Sequence, residues 1–216
     1  MQKQQLFIFR ASKGNQGGNP RGSCSLDYSE TYKERNAITE IHDIDYDNND
    51  HLEFLHRELR DNNILRQGWG IENLDLSSEE SWIERYIISS KKYWGVNIDC
   101  NDAKGRWNIL NRMTKMKVDD VIIIPKTSLE VVRNEHSKFV VCQVKKPYYF
   151  DYPEKFQDFG HCIEVKNKKE YRYGEGNLIA YDFRVPYLYA VSQVKNTHGR
   201  YNKFKDFIQR EYDIGV

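Results

Sequence analysis

Apolar positions recur along this chain with two different spacings, and the changeover falls near Lys117. Upstream the spacing is mostly helical. Leu52, Leu55 and Leu59 share one face of a helix predicted over 51–62, with Asp50 placed to cap it. Ser77 and Glu80 have capping-box spacing and open a helix through about residue 92, with Trp82, Tyr86 and Ile87 as its apolar positions. A further helix is predicted from about Asp102 to Met116, with Trp107, Leu110 and Met113 on one face and Gly105 as a weak point. Two short strands precede these helices or lie between them, at 5–10 and 64–71. Downstream the period shortens. Val121–Pro125 is a continuous apolar run, 138–145 forms the next strand, 161–166 alternates cleanly, and 179–185 reads as another strand before a terminal helix from about Lys203 to Tyr212. Strands grouped late and helices grouped early predict an α+β fold rather than a doubly wound α/β fold.

At 216 residues the chain can bury a core in one large domain, or in one domain with an arm. Residues 1–63 form an N-terminal strand, loop and helix, either an arm or part of the same unit, and 64–216 form the main domain. Aromatic residues reach 13%, with 15 Tyr and 4 Trp, which suits stacking on bases or sugars but also suits strands. The net charge of +1 points to no partner, but its distribution is uneven. Residues 1–100 carry 12 Lys/Arg against 17 Asp/Glu (−5), and the rest carry 21 against 15 (+6), so the second half could attract phosphates. Cys24, Cys100, Cys142 and Cys162 lie far apart, with no zinc spacing, so no metal or cofactor is expected. The Gly/Asn-rich stretch 12–23 lacks P-loop spacing, and the acidic stretch 42–50 lacks the glycine and closing glutamate of a calcium loop. The opening MQKQQLFIF has no basic leader, and no apolar run nears the roughly 18–20 residues of a membrane span. A soluble, reduced, cytoplasmic protein with no membrane partner is expected.

One order of motifs is distinctive. Gly68-Trp69-Gly70 is followed by a helical insert, then by Met116-Lys117-Val118-Asp119-Asp120 running into Val121–Pro125. A Val-rich strand then leads into Lys146-Pro147-Tyr148-Tyr149-Phe150, and Asp158-Phe159-Gly160-His161 opens the next strand. This order, over roughly residues 64–166, resembles the EVE branch of the PUA-like superfamily, which is related to YTH domains and occurs in modification-dependent restriction systems. The family usually has Gly-Asp where this chain has Asp119-Asp120, a change a turn can take because Asp tolerates turn conformations. The resemblance implies a curved β-barrel with helices packed around it. It also implies a module that reads a modified base, such as a methylated adenine or cytosine, flipped into an aromatic pocket. DNA is expected as the partner ahead of RNA, with a separate nuclease or NTPase as effector.

For such a pocket the candidates are Trp69, Trp94, Trp107, Tyr148, Phe150 and His161. Trp69 has glycines on both sides, so a ligand or another backbone can come close; it could equally be a core residue at a bulge. Trp107 and Trp94 are candidates for the opposite wall, although helical spacing also suits Trp107 to a core. Strand alternation sends Tyr148 and Phe150 to one side and Tyr149 to the other. His161 could donate to a base edge or be a satisfied structural histidine. Arg66, Lys104, Arg106, Lys126, Lys145 and Lys146 are candidates for the nucleic-acid backbone.

A binding module fits these residues better than an enzyme, because no G-x-S-x-G, HExxH, Walker A or dinucleotide fingerprint is present. The alternative is a metal-dependent nuclease of PD-(D/E)xK type. Asp151 and Glu164 would hold Mg²⁺, and Lys166 would stabilise charge at the phosphate. A PUA-like RNA binder without modification preference is a third reading.

Overall fold

The computed structural model describes residues 4–10, 50–70, 74–94, 97–125, 138–154, 156, 158–174, 178, 190–197 and 199–213. The Gly/Asn-rich stretch 12–23, most of the acidic stretch, the strand expected at 179–185, Cys24 and Lys126 lie outside them, as does the side chain of Trp94. The elements in chain order are β1 (Leu6–Phe9), α1 (Asp50–Arg57), a π-helical turn (Glu58–Asn62), β2 (Ile64–Gln67), α2 (Glu79–Trp94) and α3 (Cys100–Leu110). After them come a 3₁₀ turn (Met113–Lys115), β3 (Val121–Pro125), β4 (Lys138–Phe150), β5 (His161–Arg172), β6 (Val191–Gln193) and α4 (Tyr201–Tyr212). The fold is α+β. Among the described residues, six strands in the order β2-β5-β4-β3-β1-β6 form a curled half-barrel sheet with four helices around it. Every neighbouring pair is antiparallel except β1 with β3.

Both sides of the sheet are covered, which accounts for the unbroken apolar runs LFIF and VIIIP. On one side Phe7, Phe9, Ile122, Ile124, Val140, Val144, Ile163 and Val165 pack against Trp82 and Tyr86 of α2 and Trp107 and Leu110 of α3. On the other, Leu6, Ile8, Val121, Ile123, Phe139 and Val141 pack against Phe204, Phe207 and Ile208 of α4. Trp82 anchors the first layer. Its ring stacks on Tyr86 at 4.6 Å, and its indole N–H donates to the Leu74 carbonyl at 3.0 Å.

Local chemistry explains where the elements begin and end. The cap expected at Ser77 falls on Ser78, whose hydroxyl accepts from Ser81 N at 3.5 Å. Asp99 caps α3 by accepting from Asp102 N at 2.8 Å, and Gly105 is exposed with nothing near its Cα, so the helix passes through it. Strands β4 and β5 run further than the hydrophobic pattern predicts, because each pairs with the other along most of its length. Bulges between Val144 and Lys146 and between Lys146 and Tyr149 absorb the mismatch, and Pro147 sits in the second, where a missing N–H costs no ladder bond. Among the described residues no helix is long and apolar enough to cross a membrane.

The turn before β3 shows what the Asp119-Asp120 pair does. Asp119 takes φ 72°, the left-handed conformation that glycine adopts without steric cost. Asp120, 3% exposed, accepts from Gln5 N at 2.8 Å and from Lys117 N at 2.9 Å, tying the start of β1 to the turn. Asp120→Ala leaves two backbone donors without an acceptor and should cost about 2 kcal/mol or more. Asp119→Gly should change stability by less than about 1 kcal/mol. Chemical denaturation of both variants checks the contrast.

Candidate functional site

Strand β2 ends at Gln67, and the chain then crosses residues 158–160 at very short range. A Cβ on Gly68 would lie 2.8 Å from Asp158 Oδ2, and one on Gly70 would lie 2.9 Å from Gly160 N and 3.0 Å from the Asp158 carbonyl. Gly70 N donates to that carbonyl at 2.8 Å. Gly70 is therefore needed by another stretch of backbone, and Gly68 by the Asp158 side chain. Between them Trp69 sits at φ 70°, an unusual conformation for a bulky side chain. Two hydrogen bonds hold it there: its N–H donates to Asp158 Oδ1 at 2.9 Å, and its carbonyl accepts from His161 Nε2 at 3.2 Å.

His161 is fully buried, and both of its ring nitrogens are engaged. Since Nε2 must donate to a carbonyl, Nδ1 is the acceptor, and it receives the Tyr148 hydroxyl at 3.1 Å. That hydroxyl in turn accepts from Leu76 N at 3.0 Å. The result is a directed relay from Leu76 N–H through Tyr148 and His161 to the Trp69 carbonyl, in which every member has its partner. Burial pushes the His161 pKa down to about 4, so the ring is neutral near pH 7. Burial also pushes the Tyr148 hydroxyl up, which keeps its proton available to His161. Phe150 closes the lower side. It meets His161 edge-on at 5.4 Å, and its ring fills the space a Cβ on Gly160 would need, 2.4 Å from that position.

The Trp69 ring is partly buried against the first core layer, and the Arg106 guanidinium of α3 lies over it, 4.8 Å from the ring centroid. Lys104, exposed, is on the same helix. Trp69, Tyr148, Phe150 and His161 thus come together, and Arg106 joins them.

Other candidates fall elsewhere. Trp107 is 4% exposed and packs against Trp82 in the core rather than forming an open wall. Arg66, 5% exposed, is engaged within the protein. It donates to Glu58 at 2.6 Å, to the Asp151 carboxylate at 2.8 Å, and to the carbonyls of Asp151 and Phe159, which leaves the guanidinium turned inward. Lys145 and Lys146 are exposed but lie on the side of β4 away from His161. Lys146 pairs in register with Glu164, which alternates away from the core-facing Ile163 and Val165, and its ammonium sits 4.1 Å over Tyr149; Lys145 bonds Glu164 itself. Lys126 and the Trp94 side chain lie outside the described residues.

Each of the three nuclease candidates has an ion-pair partner of its own. Asp151 is held by Arg66, Glu164 by Lys145, and Lys166 by Asp119 at 2.6 Å. Among the described residues no cluster of His, Cys, Asp and Glu could hold a metal.

No protein-family model, curated protein or solved structure matches the chain.

Two residues of the site escaped the reading of the sequence. Asp158 belongs to a quoted motif, but its role as a double acceptor depends on the crossing. Gln67 pairs in register with His161 and so shares its side of the sheet. It stands two positions before Trp69, and strand alternation was the signal that could have found it.

The relay predicts an acid-sensitive fold. Above pH 6.5 His161 is neutral in both the folded and unfolded states, and its contribution is complete. Between pH 6.5 and about 4 only the unfolded chain takes up the proton, so stability falls with acid, by roughly 3 kcal/mol in total. Denaturation of the wild type and His161→Asn across this range should give a visibly flatter profile for the variant.

Proposed function

We propose that this chain is a reader of nucleic acid, an EVE-like member of the PUA-like superfamily that takes a modified base of DNA against Trp69. The observation that carries the reading is the Trp69 site. A large aromatic side chain is held in a costly backbone conformation by Asp158 and His161, and a planar cation lies over its ring. Strained backbone that is fixed from several directions persists where a side chain must be presented in one orientation. The Arg106 position is where a flat, electron-rich group would stack, and on ligand arrival the guanidinium can move to a phosphate or cover the base. The curled sheet is compatible with the curved barrel that the order of motifs implies.

In this reading Trp69, Tyr148, Phe150 and His161 shape the pocket, while Arg106 and Lys104 meet the backbone. The module works in the cytoplasm, as the recognition part of a modification-dependent defence or restriction system, beside a separate nuclease or NTPase effector. The module itself performs no chemistry on the base.

The test is a binding titration of the full chain. The oligonucleotides carry N6-methyladenine, 5-methylcytosine, 5-hydroxymethylcytosine or no modification, with RNA and DNA compared at equal salt. A modified DNA should bind best. Trp69→Ala should weaken that binding by about tenfold or more and erase the preference, since stacking contributes about 1–3 kcal/mol per base. Arg106→Ala should lower the slope of log affinity against log salt by about 1. Salt-independent binding, or a Trp69→Ala variant that keeps its preference, would overturn the reading.

A further inference from the structure

Gln67 is the last residue of β2 and lies directly opposite His161 in the antiparallel register, so both side chains leave the sheet on the same side. It is 9% exposed, and its side-chain oxygen is buried with no hydrogen-bond partner among the described residues. Buried amide oxygens nearly always find a donor, because leaving one empty forfeits its hydration for nothing. The donors of the relay are committed elsewhere. His161 commits Nε2–H to the Trp69 carbonyl, Tyr148 commits its hydroxyl proton to His161, and the Trp69 N–H goes to Asp158. The relay closes on itself and leaves one acceptor over, two residues along the chain from the stacking side chain.

We propose that Gln67 is the specificity-determining residue of the Trp69 site: its Oε1 accepts from the exocyclic amino group of an adenine- or cytosine-type base. Adenine N6 and cytosine N4 are donors, whereas guanine O6 and thymine O4 are acceptors that would face Oε1 lone pair to lone pair. The choice is compatible with methylation. One methyl on N6 leaves an N–H, and a methyl on C5 of cytosine leaves both amino hydrogens. A keto base in the same place sets its carbonyl oxygen against Oε1, and its nearest donor is the neighbouring ring N–H, one position away. This assignment rests on the base-reader proposal above and adds which edge chemistry the site selects.

The experiment compares pairs of bases that exchange amino for oxo, and with it the neighbouring ring nitrogen for N–H. Oligonucleotides carry one central adenine or hypoxanthine, or one central 5-methylcytosine or thymine, and are titrated with the wild type, Gln67→Met, Gln67→Glu and Trp69→Ala. The wild type should favour the amino member by about tenfold. Gln67→Met, which keeps length but has no comparable acceptor, should bring the two members close to parity. Gln67→Glu, which keeps acceptor oxygens, should retain the preference. Thermal melting separates this from a structural role. Replacing an unsatisfied buried amide with an apolar side chain should leave the melting temperature of Gln67→Met at or above that of the wild type, whereas a lower value shows the amide was already satisfied and overturns the proposal. Equal binding of amino and oxo bases by a wild type that still depends on Trp69 defeats the role of Gln67 alone. Absence of Trp69-dependent binding to any of the four, and to oligonucleotides carrying N6-methyladenine or 5-hydroxymethylcytosine, defeats the base-reader reading together with it.

Discussion

Where β2 gives way to Gly68–Gly70, two lengths of backbone pass with no room for a single extra carbon, and the architecture of the site follows from that crossing. The contact fixes Asp158 against Trp69 and Gly70, which presents one carboxylate oxygen and one carbonyl to the N–H groups of successive residues. It also sets the direction in which Trp69 leaves the chain. His161, first residue of β5, then finds the Trp69 carbonyl within reach, and Tyr148 closes the relay from β4. Gly160 serves a second neighbour, since its missing side chain is the space Phe150 occupies. Three glycines thus let three strands meet closely at one end of the sheet.

The uneven charge of the sequence has a different meaning in three dimensions. Several cations of the basic half are engaged internally. Lys138 pairs with Glu170 and Lys166 with Asp119, while Lys168 donates to the carbonyls of Leu59 and Arg60 and Lys169 to that of Glu211. Burial lowers the affinity of Lys168 for its proton. The cations beside Trp69 come instead from α3, through Arg106, with Lys104 on the same helix. A count of lysines by sequence half therefore says little about where a polyanion would settle; the helix that carries the cation matters more.

Much of the architecture was legible because it depends on local pattern. The runs LFIF and VIIIP are apolar throughout since both sides of the sheet are covered, and α3 is marked by Asp99 and by Trp107 and Leu110 at helical spacing. What the pattern missed depends on pairing. The polar run 167–172 lies beyond the strand expected at 161–166 but continues it, because β4 lies beside it, and Lys146-Pro147, beyond the strand expected at 138–145, sits in bulges of a continuous strand. The same bulges send Lys145 and Lys146 to the far side. At the site, the order of motifs brought Trp69, Tyr148, Phe150 and His161 to attention, and they do meet. Arg66 did not follow, because a guanidinium looks the same in sequence whether its carboxylates are near or absent; Glu58 and Asp151 become neighbours only when β2, β5 and the end of β4 assemble.

The strand order also governs how the chain reaches its folded state. β1 lies between β3 and β6, so the residues flanking it bond to partners 115 and 188 positions away. It is the earliest of the six strands to be synthesised, and neither of its neighbours exists until much later. Until then LFIF has nothing to pair with, so closing the sheet requires slow, long-range encounters. An apolar strand waiting unpaired is also a ready template for association with other chains. A ribosome-bound or chaperone-held nascent chain would be the form in which this segment most needs shielding.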